Sequence, residues 1–311
     1  MEFKIIEDVM TLANLVHESS NRVYISNQGL YDVANMMKDN PLENEIKTSD
    51  ILNIISRNID ARAEVLKELV ADSINYCYWI GRSNIRPNDA SSNTMRRILD
   101  KSFNAVAALS STAELKIQLR SFHRALVRER FPLMDKRLVH LNALARQDYF
   151  TPATSRKSYR GEPVAFQMVD FVMEKRKFDS AFDFLVTRID GFGDDPFLKR
   201  AILFFLQLNR IFGIYNDEIK QLPIPADYQV PKMLEHYKVL IYSNEIKDMI
   251  NNGIHFQENS LEEMTIRAAT LIATKEIGEL TGMSPAEVDE WFFIRRKECN
   301  NPFHLCITSN Y

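Results

Sequence analysis

Glycine is scarce in this chain, with nine glycines among its 311 residues. Proteins contain about 7% glycine on average, and a low content favours long helices over a fold rich in tight turns. Helix-start signals point the same way, because three Ser-x-x-Glu capping boxes occur along the chain. These boxes are Ser111–Glu114, Ser260–Glu263 and Ser284–Glu287, the last with proline at the first helical position. We therefore predict a mainly α fold.

Helices are expected where apolar residues recur every three to four positions, at residues 61–80, 93–109, 165–173 and 197–212. Short β-like runs occur only at residues 22–25 and 305–308, near the two termini. If these runs pair, the ends of the chain meet, and residues 1–311 form one compact unit. The alternative is a chain of two lobes with a boundary near residues 150–163, where polar and turn residues cluster.

The charge balance argues against a polynucleotide substrate. The formal net charge is −3 and the pI is near 6.1, whereas binding of duplex DNA draws much of its affinity from basic side chains on phosphates. No apolar run approaches the roughly eighteen residues of a membrane span. The first residues are acidic where a signal peptide would be basic, and an odd number of cysteines suits a reducing compartment. We predict a cytoplasmic protein, with nuclear access left open, that binds neither duplex nucleic acid nor a membrane.

Several kinds of site lack their characteristic residues in this sequence. The six histidines form no His-x-x-x-His pair, and His304 with Cys306 has no further ligand nearby. A Gly-x-Ser-x-Gly elbow and a P-loop are both missing, which argues against a serine hydrolase or a nucleoside triphosphatase. Apolar heptads are missing too, so no coiled-coil dimer is indicated. We predict a monomer with neither a metal nor a cofactor.

One carboxylate, Asp227, lies between two prolines in the segment Pro225–Pro231. Proline is not tolerated inside a helix but is accepted in its first turn, so this segment predicts a helix start with Asp227 as its cap and a helix over residues 228–240. Backbone N–H groups and the helix dipole favour a charged carboxylate there. Such a group suits a reaction that develops positive charge beside it. The alternative is that Asp227 only caps the helix.

A pair of glycines two residues apart, with Phe192 between them, lies in the segment Ile189–Asp195, just before the predicted helix at 197–212. A hairpin there would direct N–H groups at a helix start, which is a suitable place for phosphate. Lys199 follows in the first turn of that helix, where its ammonium group could meet an anion. The alternatives are an ordinary tight turn between helices and a solvated lysine.

Aromatic residues crowd the segment Asn75–Trp79, which we expect to end the helix that begins near residue 61. Three aromatic residues in four positions are too many for one core face, so some should border a cavity and stack on a planar ligand. His304, near the C-terminus, is a further candidate binding residue. The alternative for the aromatic residues is simple core packing. The alternative for His304 is a structural role.

Taken in chain order, these segments resemble the queuosine salvage protein family, the queuosine 5′-phosphate N-glycosylases. The resemblance runs from residue 75 to the end of the chain. The matching segments are Asn75–Trp79, Phe192–Asp194, Lys199–Ala201, Ala226–Pro231, Tyr242–Ser243, Ile266–Ala268, Pro302–His304 and the terminal Tyr311.

The resemblance implies a helix-hairpin-helix fold like that of DNA glycosylases, adapted to a mononucleotide. It also implies hydrolysis of the bond between ribose and the 7-deazaguanine base of queuosine 5′-phosphate, which releases queuine for reuse in transfer RNA. Asp227 falls on the catalytic aspartate and would stabilise an oxocarbenium-like ribose and activate water. Lys199 falls on the active-site lysine and would hold the 5′-phosphate.

Further substrate-binding roles follow from this mechanism. Asp190 or Asp194 would accept N–H bonds from the base, and aromatic side chains, with Trp79 and Tyr228 among the candidates, would sandwich it. Phe192 and His304 would form part of the pocket wall.

The sequence departs from the family in three places. Ile202 replaces a glutamine, and Thr265 replaces an acid two residues before the arginine of Ile266–Ala268. The aromatic motif Asn75–Trp79 has tyrosines in place of phenylalanines. A related purine or 7-deazapurine nucleotide is therefore an alternative substrate. Two other functions are also alternatives: a DNA glycosylase of the helix-hairpin-helix class, and a helical adaptor that binds a partner without catalysis.

Overall fold

The computed structural model describes residues 4–42, 60–79, 90–148, 161–174 and 176–311. Within these ranges the chain forms fifteen helices and four short strands, which confirms the prediction of a mainly α fold. The helices are α1 Lys4–Glu18, α2 Asn27–Asp39, α3 Ala61–Ser73, α4 Ser92–Ser102, α5 Ala105–Ala108, α6 Thr112–Arg128, α7 Met134–Leu144, α8 Val164–Met173, α9 Phe178–Arg188, α10 Lys199–Phe212, α11 Asn216–Ile219, α12 Gln229–His236, α13 Asn244–Asn251, α14 Leu261–Thr281 and α15 Pro285–Arg295. The strands are β1 Val23–Ile25, β2 Gln147–Asp148, β3 Glu162–Pro163 and β4 Leu240–Tyr242.

Two helices organise the packing. Helix α3 lies against α4, α5, α7, α8 and α10, and helix α14 lies against α1, α2, α12 and α15. Both helices bury residues on several sides, as a helix enclosed by neighbours must. In α3 the buried set includes Leu66 and Leu69, and in α14 it includes small residues such as Ala269 and Ala273, which let neighbouring helices approach closely.

The predicted helices are largely present, with two changes. The helix predicted over 61–80 ends at Ser73, so the aromatic segment that follows it is not helical. The helix predicted over 93–109 is divided into α4 and α5, because Asn104 caps the second piece through a hydrogen bond from the N–H of Ala107. The predicted helices at 165–173 and 197–212 correspond to α8 and α10.

The predicted lobe boundary at residues 150–163 falls mostly outside the described residues, and the single-unit organisation stays a prediction. The part of it that is described, β3, pairs with β2 in an antiparallel register that joins Gln147 to Pro163.

The three predicted N-caps are confirmed at Ser111, Ser260 and Ser284, each of which accepts a hydrogen bond from the N–H three residues on. The box is reciprocal at Ser284, where the Glu287 carboxylate accepts from the Ser284 N–H at 2.9 Å. At Ser260 the corresponding Glu263 side chain contacts an arginine within α14 instead. The glutamate of a capping box can therefore bond to another side chain instead of to the N–H of the capping residue.

The two terminal β-like runs do not pair with each other. Strand β1 pairs with β4 in antiparallel register, Val23 opposite Tyr242, because a turn after α12 brings β4 alongside it. The C-terminal run contributes a bridge between Cys306 and Phe256. The N-terminal part of the chain still reaches the C-terminal half, through the packing of α1 and α2 on α14.

None of the helices in the described ranges is long and apolar enough to cross a membrane. The three cysteines, Cys77, Cys299 and Cys306, are all buried and form no disulfide.

The glycine hairpin, residues 189–195, joins α9 to α10 and packs tightly against both. Gly191 has φ +97°, in the region that favours glycine, and the Arg200 side chain crowds it. Gly193 lies so close to α9 that a Cβ there would clash with the Val186 carbonyl oxygen. The two glycines are thus required by packing of the hairpin.

Replacing Gly193 with alanine should lower the free energy of unfolding by about 1–3 kcal/mol, because the Val186 backbone cannot move away cheaply. Thermal and urea unfolding would measure the loss. Gly213 offers a matched control, since it ends α10 with φ +64° and has open space around it. Gly213→Asn should cost less than about 1 kcal/mol, because asparagine also adopts the left-handed region. Equal stability of Gly193→Ala and the wild type would contradict the packing argument.

Candidate active site

Asp227 lies in the turn just before α12, at the end of a buried proline-containing segment. Its Oδ1 accepts a hydrogen bond from the N–H of Gln229 at 2.7 Å, which fixes the carboxylate at the helix start. The side chain is partly exposed, while Ala226 and Tyr228 on either side are buried. The helix begins one residue later than predicted and ends at His236, before β4. Asp227 is therefore both a turn residue and an accessible carboxylate.

Lys199 is the first residue of α10 and is 4% exposed. Its Nζ donates to the backbone carbonyl oxygen of Asn75 at 3.0 Å. Burial lowers the pKa of its ammonium group, while the nearby carboxylates of Asp227 and Asp72 favour the charged form. Lys199 and Asp227, far apart in sequence, thus share one electrostatic environment.

A third titratable group in this environment is Asp289, on α15, which the sequence reasoning missed. Burial raises the pKa of its carboxyl to about 7, the negative charge of Asp227 adds to the rise, and Lys199 opposes it. Among the described residues its carboxyl has no hydrogen bond or ion pair, and the side chain is partly exposed. The sequence signal was weak, since Asp289 is one polar residue beside the buried Val288 of an apolar helix face.

Three aromatic rings from distant parts of the chain meet next to Asp227, and we call Trp79, Tyr228 and Phe303 the aromatic cluster. The Trp79 and Phe303 rings are nearly parallel, with an interplanar angle of 15° and centroids 6.4 Å apart. Tyr228 meets Trp79 edge-on at 4.5 Å and Phe303 at 4.9 Å. Trp79 Nε1 is buried and has no hydrogen-bond partner among the described residues. The predicted pair Trp79 and Tyr228 is therefore brought together, with Phe303 as a third member.

The segment Asn75–Trp79 runs in irregular conformation after α3, and buried cations hold its carbonyl groups. Arg137 donates to the carbonyl oxygens of Tyr76 and Cys77, both at 2.7 Å, and Lys199 donates to that of Asn75. The Cys77 N–H donates to the carbonyl oxygen of the terminal Tyr311 at 2.9 Å. Arginine and lysine donors thus replace the hydrogen bonds that a helix or sheet would supply.

His304 is buried away from the aromatic cluster. Its ring lies near Phe256 and Tyr311, with centroids 6.1 Å from each. Burial lowers the pKa of its imidazole to about 3, and the charge of Arg267 acts in the same direction, so the ring is neutral at physiological pH. The neighbouring Phe303 reaches the cluster instead, and the motif Pro302–His304 was the signal for it.

The acids of the glycine hairpin differ in their surroundings. Asp190 is exposed and forms an ion pair with Arg146 at 2.8 Å, and Asp194 is exposed as well. Phe192 is fully buried, with its ring edge-on to Phe204 at 6.3 Å. Their predicted contacts with the base stay predictions.

The anion site predicted at the start of α10 is already filled by the chain itself. The buried carboxylate of Asp195 accepts from the N–H of Phe197 at 3.2 Å and from the N–H of Lys199 at 2.8 Å. These are the N–H groups that a helix N-terminus would offer to phosphate. The group at this helix start that could still bind an anion is the Lys199 ammonium group, which lies close to Asp227.

Arg267 on α14 connects these parts, and its side chain has no exposed surface. Its Nη2 donates to Asp195 at 2.6 Å and its Nε donates to the carbonyl oxygen of Ala226 at 3.0 Å, next to Asp227. Its Nη1 contacts Glu263 at 3.4 Å. The guanidinium also lies over the Tyr311 ring, 4.2 Å from its centroid.

The acid that the family resemblance places at position 265 is supplied from elsewhere in the same helix. Thr265 is buried, and its hydroxyl donates back to the Leu261 carbonyl oxygen at 2.6 Å. Glu263, one turn before Arg267, provides the carboxylate that contacts its guanidinium.

No group of three or more His, Cys, Asp or Glu side chains suited to a metal ion occurs among the described residues. Two surface clefts lie elsewhere, one between α6 and α7 and one beside α3 and α5, and neither is lined by Asp227, Lys199 or Asp289.

The fold and the site together define a mainly α protein in which a carboxylate and a buried lysine lie beside a cluster of aromatic rings. The chain belongs to the queuosine salvage protein family, whose family model matches residues 60–290. That range includes Trp79, Lys199, Asp227 and Asp289, whereas Phe303 and His304 lie beyond it.

Two relatives carry the name queuosine 5′-phosphate N-glycosylase/hydrolase. The protein from Dictyostelium discoideum is 40% identical over 93 residues, which cover 26% of this chain and 29% of that protein. The protein from Sphaerobacter thermophilus is 25% identical over 231 residues, which cover 67% of each chain. The first similarity is thus high over a short region, and the second is lower over a long one.

Replacing Arg267 with alanine should lower the free energy of unfolding by about 3–5 kcal/mol, because Asp195 and Glu263 would be left buried without their cation. Urea unfolding at pH 7 would measure this. The matched control is Arg146→Ala, which removes an ion pair with Asp190 between half-exposed side chains and should cost about 1 kcal/mol or less. Similar losses in the two variants would show that the buried network is not essential to stability.

Proposed function

We propose that this protein hydrolyses the N-glycosidic bond of queuosine 5′-phosphate and releases queuine for reuse in transfer RNA modification. The observation that carries the proposal is the meeting of Asp227, Lys199 and the aromatic cluster at one place in the fold. The names of the two relatives support the same substrate and reaction. Hydrolysis of this bond uses water as the second substrate.

Asp227 is the catalytic residue of the proposal. Cleavage of the bond between C1′ and the base leaves an oxocarbenium-like ribose, and a fixed carboxylate nearby stabilises that positive charge. The hydrogen bond from the Gln229 N–H holds one carboxylate oxygen, so the group is oriented before the substrate arrives. The same carboxylate orients the attacking water and takes its proton.

Lys199 would bind the 5′-phosphate. Its ammonium group is already held by the Asn75 carbonyl and lies near Asp227, so a phosphate bound there brings the ribose towards the carboxylate. Because Asp195 occupies the helix start, the lysine rather than the hairpin N–H groups carries this binding. A buried ammonium meets a phosphate with less competition from water, which strengthens the pair.

The aromatic cluster would hold the base. A planar base between two rings needs about 7 Å, twice the ordinary contact distance of roughly 3.5 Å. The Trp79 and Phe303 centroids are 6.4 Å apart, and the Tyr228 ring lies edge-on to both, so Tyr228 would have to move aside for a base to enter between them. A carboxylate of the glycine hairpin would accept hydrogen bonds from the amino edge of the base. Asp194 suits this role better than Asp190, which is paired with Arg146.

Two of the departures from the family, Ile202 and Thr265, lie in buried positions. Ile202 is part of the core of α10, and the Thr265 side chain bonds within α14. Neither side chain is accessible, so both would affect base selectivity through the packing behind the site. A panel of related nucleotides therefore belongs in the first experiment.

Asp227→Asn should lower the rate of queuine release by about a hundredfold or more, because removal of an electrostatic stabiliser in an active site costs that much. Purified protein would be incubated with queuosine 5′-phosphate, queuosine, GMP and a uracil-containing duplex, and released bases measured by chromatography with mass detection. The control is Asp217→Asn, a nearby carboxylate that is 93% exposed and should leave the rate unchanged. Unimpaired hydrolysis by a folded Asp227→Asn variant would refute this role.

Lys199→Met should remove the preference for the phosphorylated substrate. A hydrogen bond to a charged group contributes about 1.5–3 kcal/mol, so kcat/KM for queuosine 5′-phosphate should fall roughly 10- to 100-fold, with a smaller change for queuosine. Lys220→Met, at a largely exposed lysine of the same region, is the matched control. Equal losses for nucleotide and nucleoside would show that Lys199 acts on Asp227 or on the Asn75 segment instead.

A further inference from the structure

Asp289 occupies a defined place beside the site. Helix α15 packs against α12, which follows Asp227, and against α14, which carries Arg267. Val288, Trp291 and Phe292 are fully buried and fix that face of the helix. The Asp289 side chain lies at the edge of this face and is partly exposed. Its position is therefore set by packing.

The charged groups around Asp289 come from three helices or their starts. Asp227 approaches from the start of α12, Lys199 from α10, and Glu290 from α15 itself. None of the described residues donates a hydrogen bond to the Asp289 carboxyl or pairs with it. A structural carboxylate in such surroundings would normally have a partner.

Asp289 differs from Asp227 in its surroundings. Burial and the charges of Asp227 and Glu290 disfavour a negative charge on Asp289. They raise the pKa of its carboxyl to about 7, so the group is protonated below that pH. Asp227 has the backbone N–H of Gln229 to stabilise its carboxylate. Two neighbouring carboxyl groups with different environments are the usual arrangement of an acid and a base in one site.

We infer that Asp289 is the general acid of the reaction proposed above and donates its proton to the departing base. The C1′–N bond breaks with its electron pair moving to the base nitrogen, and the Asp289 proton neutralises the base. Water adds its oxygen to C1′, and its proton passes through Asp227 to solvent. Asp289 regains a proton from solvent, so the sum is nucleotide plus water giving ribose 5-phosphate and neutral base.

This inference rests on the proposed function, and its test separates leaving-group protonation from a structural role. Two substrates would be compared: queuosine 5′-phosphate, whose base needs a proton, and 4-nitrophenyl β-ribofuranoside 5-phosphate, whose nitrophenolate leaves without one. Asp289→Asn should lose about a hundredfold or more on the nucleotide, the usual contribution of a general acid. On the nitrophenyl substrate it should lose less than about a tenth of that factor.

The pH profile gives a second readout on the nucleotide alone. Because the acid form of Asp289 is the active one, wild-type kcat should fall as pH rises through about 7. This fall should vanish in Asp289→Asn, which has no proton to lose. Asp289→Glu should restore a large part of the rate and a fall with pH at a displaced midpoint. The matched control is Glu279→Gln, at a carboxylate of α14 whose side chain is 66% exposed, which should keep the wild-type rate at pH 6.

Stability supplies a check that does not depend on turnover. The folded-state pKa of Asp289 is raised above its ordinary value, so its contribution to stability is present at pH 4 and is lost as pH rises through about 7. Unfolding midpoints at pH 5 and pH 8 should therefore differ less in Asp289→Asn than in the wild type.

The outcomes separate the two proposals. If the wild type releases no base from any nucleotide, the proposed function fails. If the wild type releases queuine and Asp227→Asn does not, but folded Asp289→Asn keeps the rate and its fall with pH, the general-acid role is overturned. An equal loss on both substrates would overturn it too. If Asp289→Asn does not fold, the Asp289→Glu profile decides, since an unchanged midpoint contradicts the role.

Discussion

The buried guanidinium of Arg267 is the interaction on which the rest of the site depends. It joins Asp195 before α10, the carbonyl of Ala226 beside Asp227, and Glu263 of its own helix. Each partner alone would be costly to bury, and the arginine satisfies all of them from one helix. Asp227 directly follows Ala226, and the Lys199 N–H donates to Asp195, so the relative position of Lys199 and Asp227 follows from where Arg267 is held.

Around that anchor the chain places charges of opposite sign in a partly desolvated setting. Lys199 is almost fully buried and lies near Asp227, while Asp289 faces the same two groups. Such an arrangement costs folding free energy, because each charge loses solvation. The family and the proposed reaction give a reason for it: a phosphate to bind, a cationic ribose to stabilise and a base to protonate.

Much of the fold was readable from the sequence, because helix caps and apolar periodicity are local properties. The caps at Ser111, Ser260 and Ser284 were placed correctly, and so were α8 and α10. The features that the sequence did not predict depend on contacts with residues far away in the chain. The segment Asn75–Trp79 leaves the helix because Arg137 from α7 and Lys199 from α10 hold its carbonyl groups. Strand β1 took β4 as its partner because the turn after α12 brings that strand within reach.

The sequence by itself determined the mainly α fold, and the family resemblance gave Asp227 and Lys199 as candidates, since those signals lie within a few neighbouring residues. Only the tertiary structure decided which groups meet. It put Phe303 rather than His304 beside Trp79, filled the helix start of α10 with Asp195, and brought Asp289 to Asp227. These contacts join residues tens to hundreds of positions apart, and their energies arise from burial and charge proximity that exist only once the helices have packed.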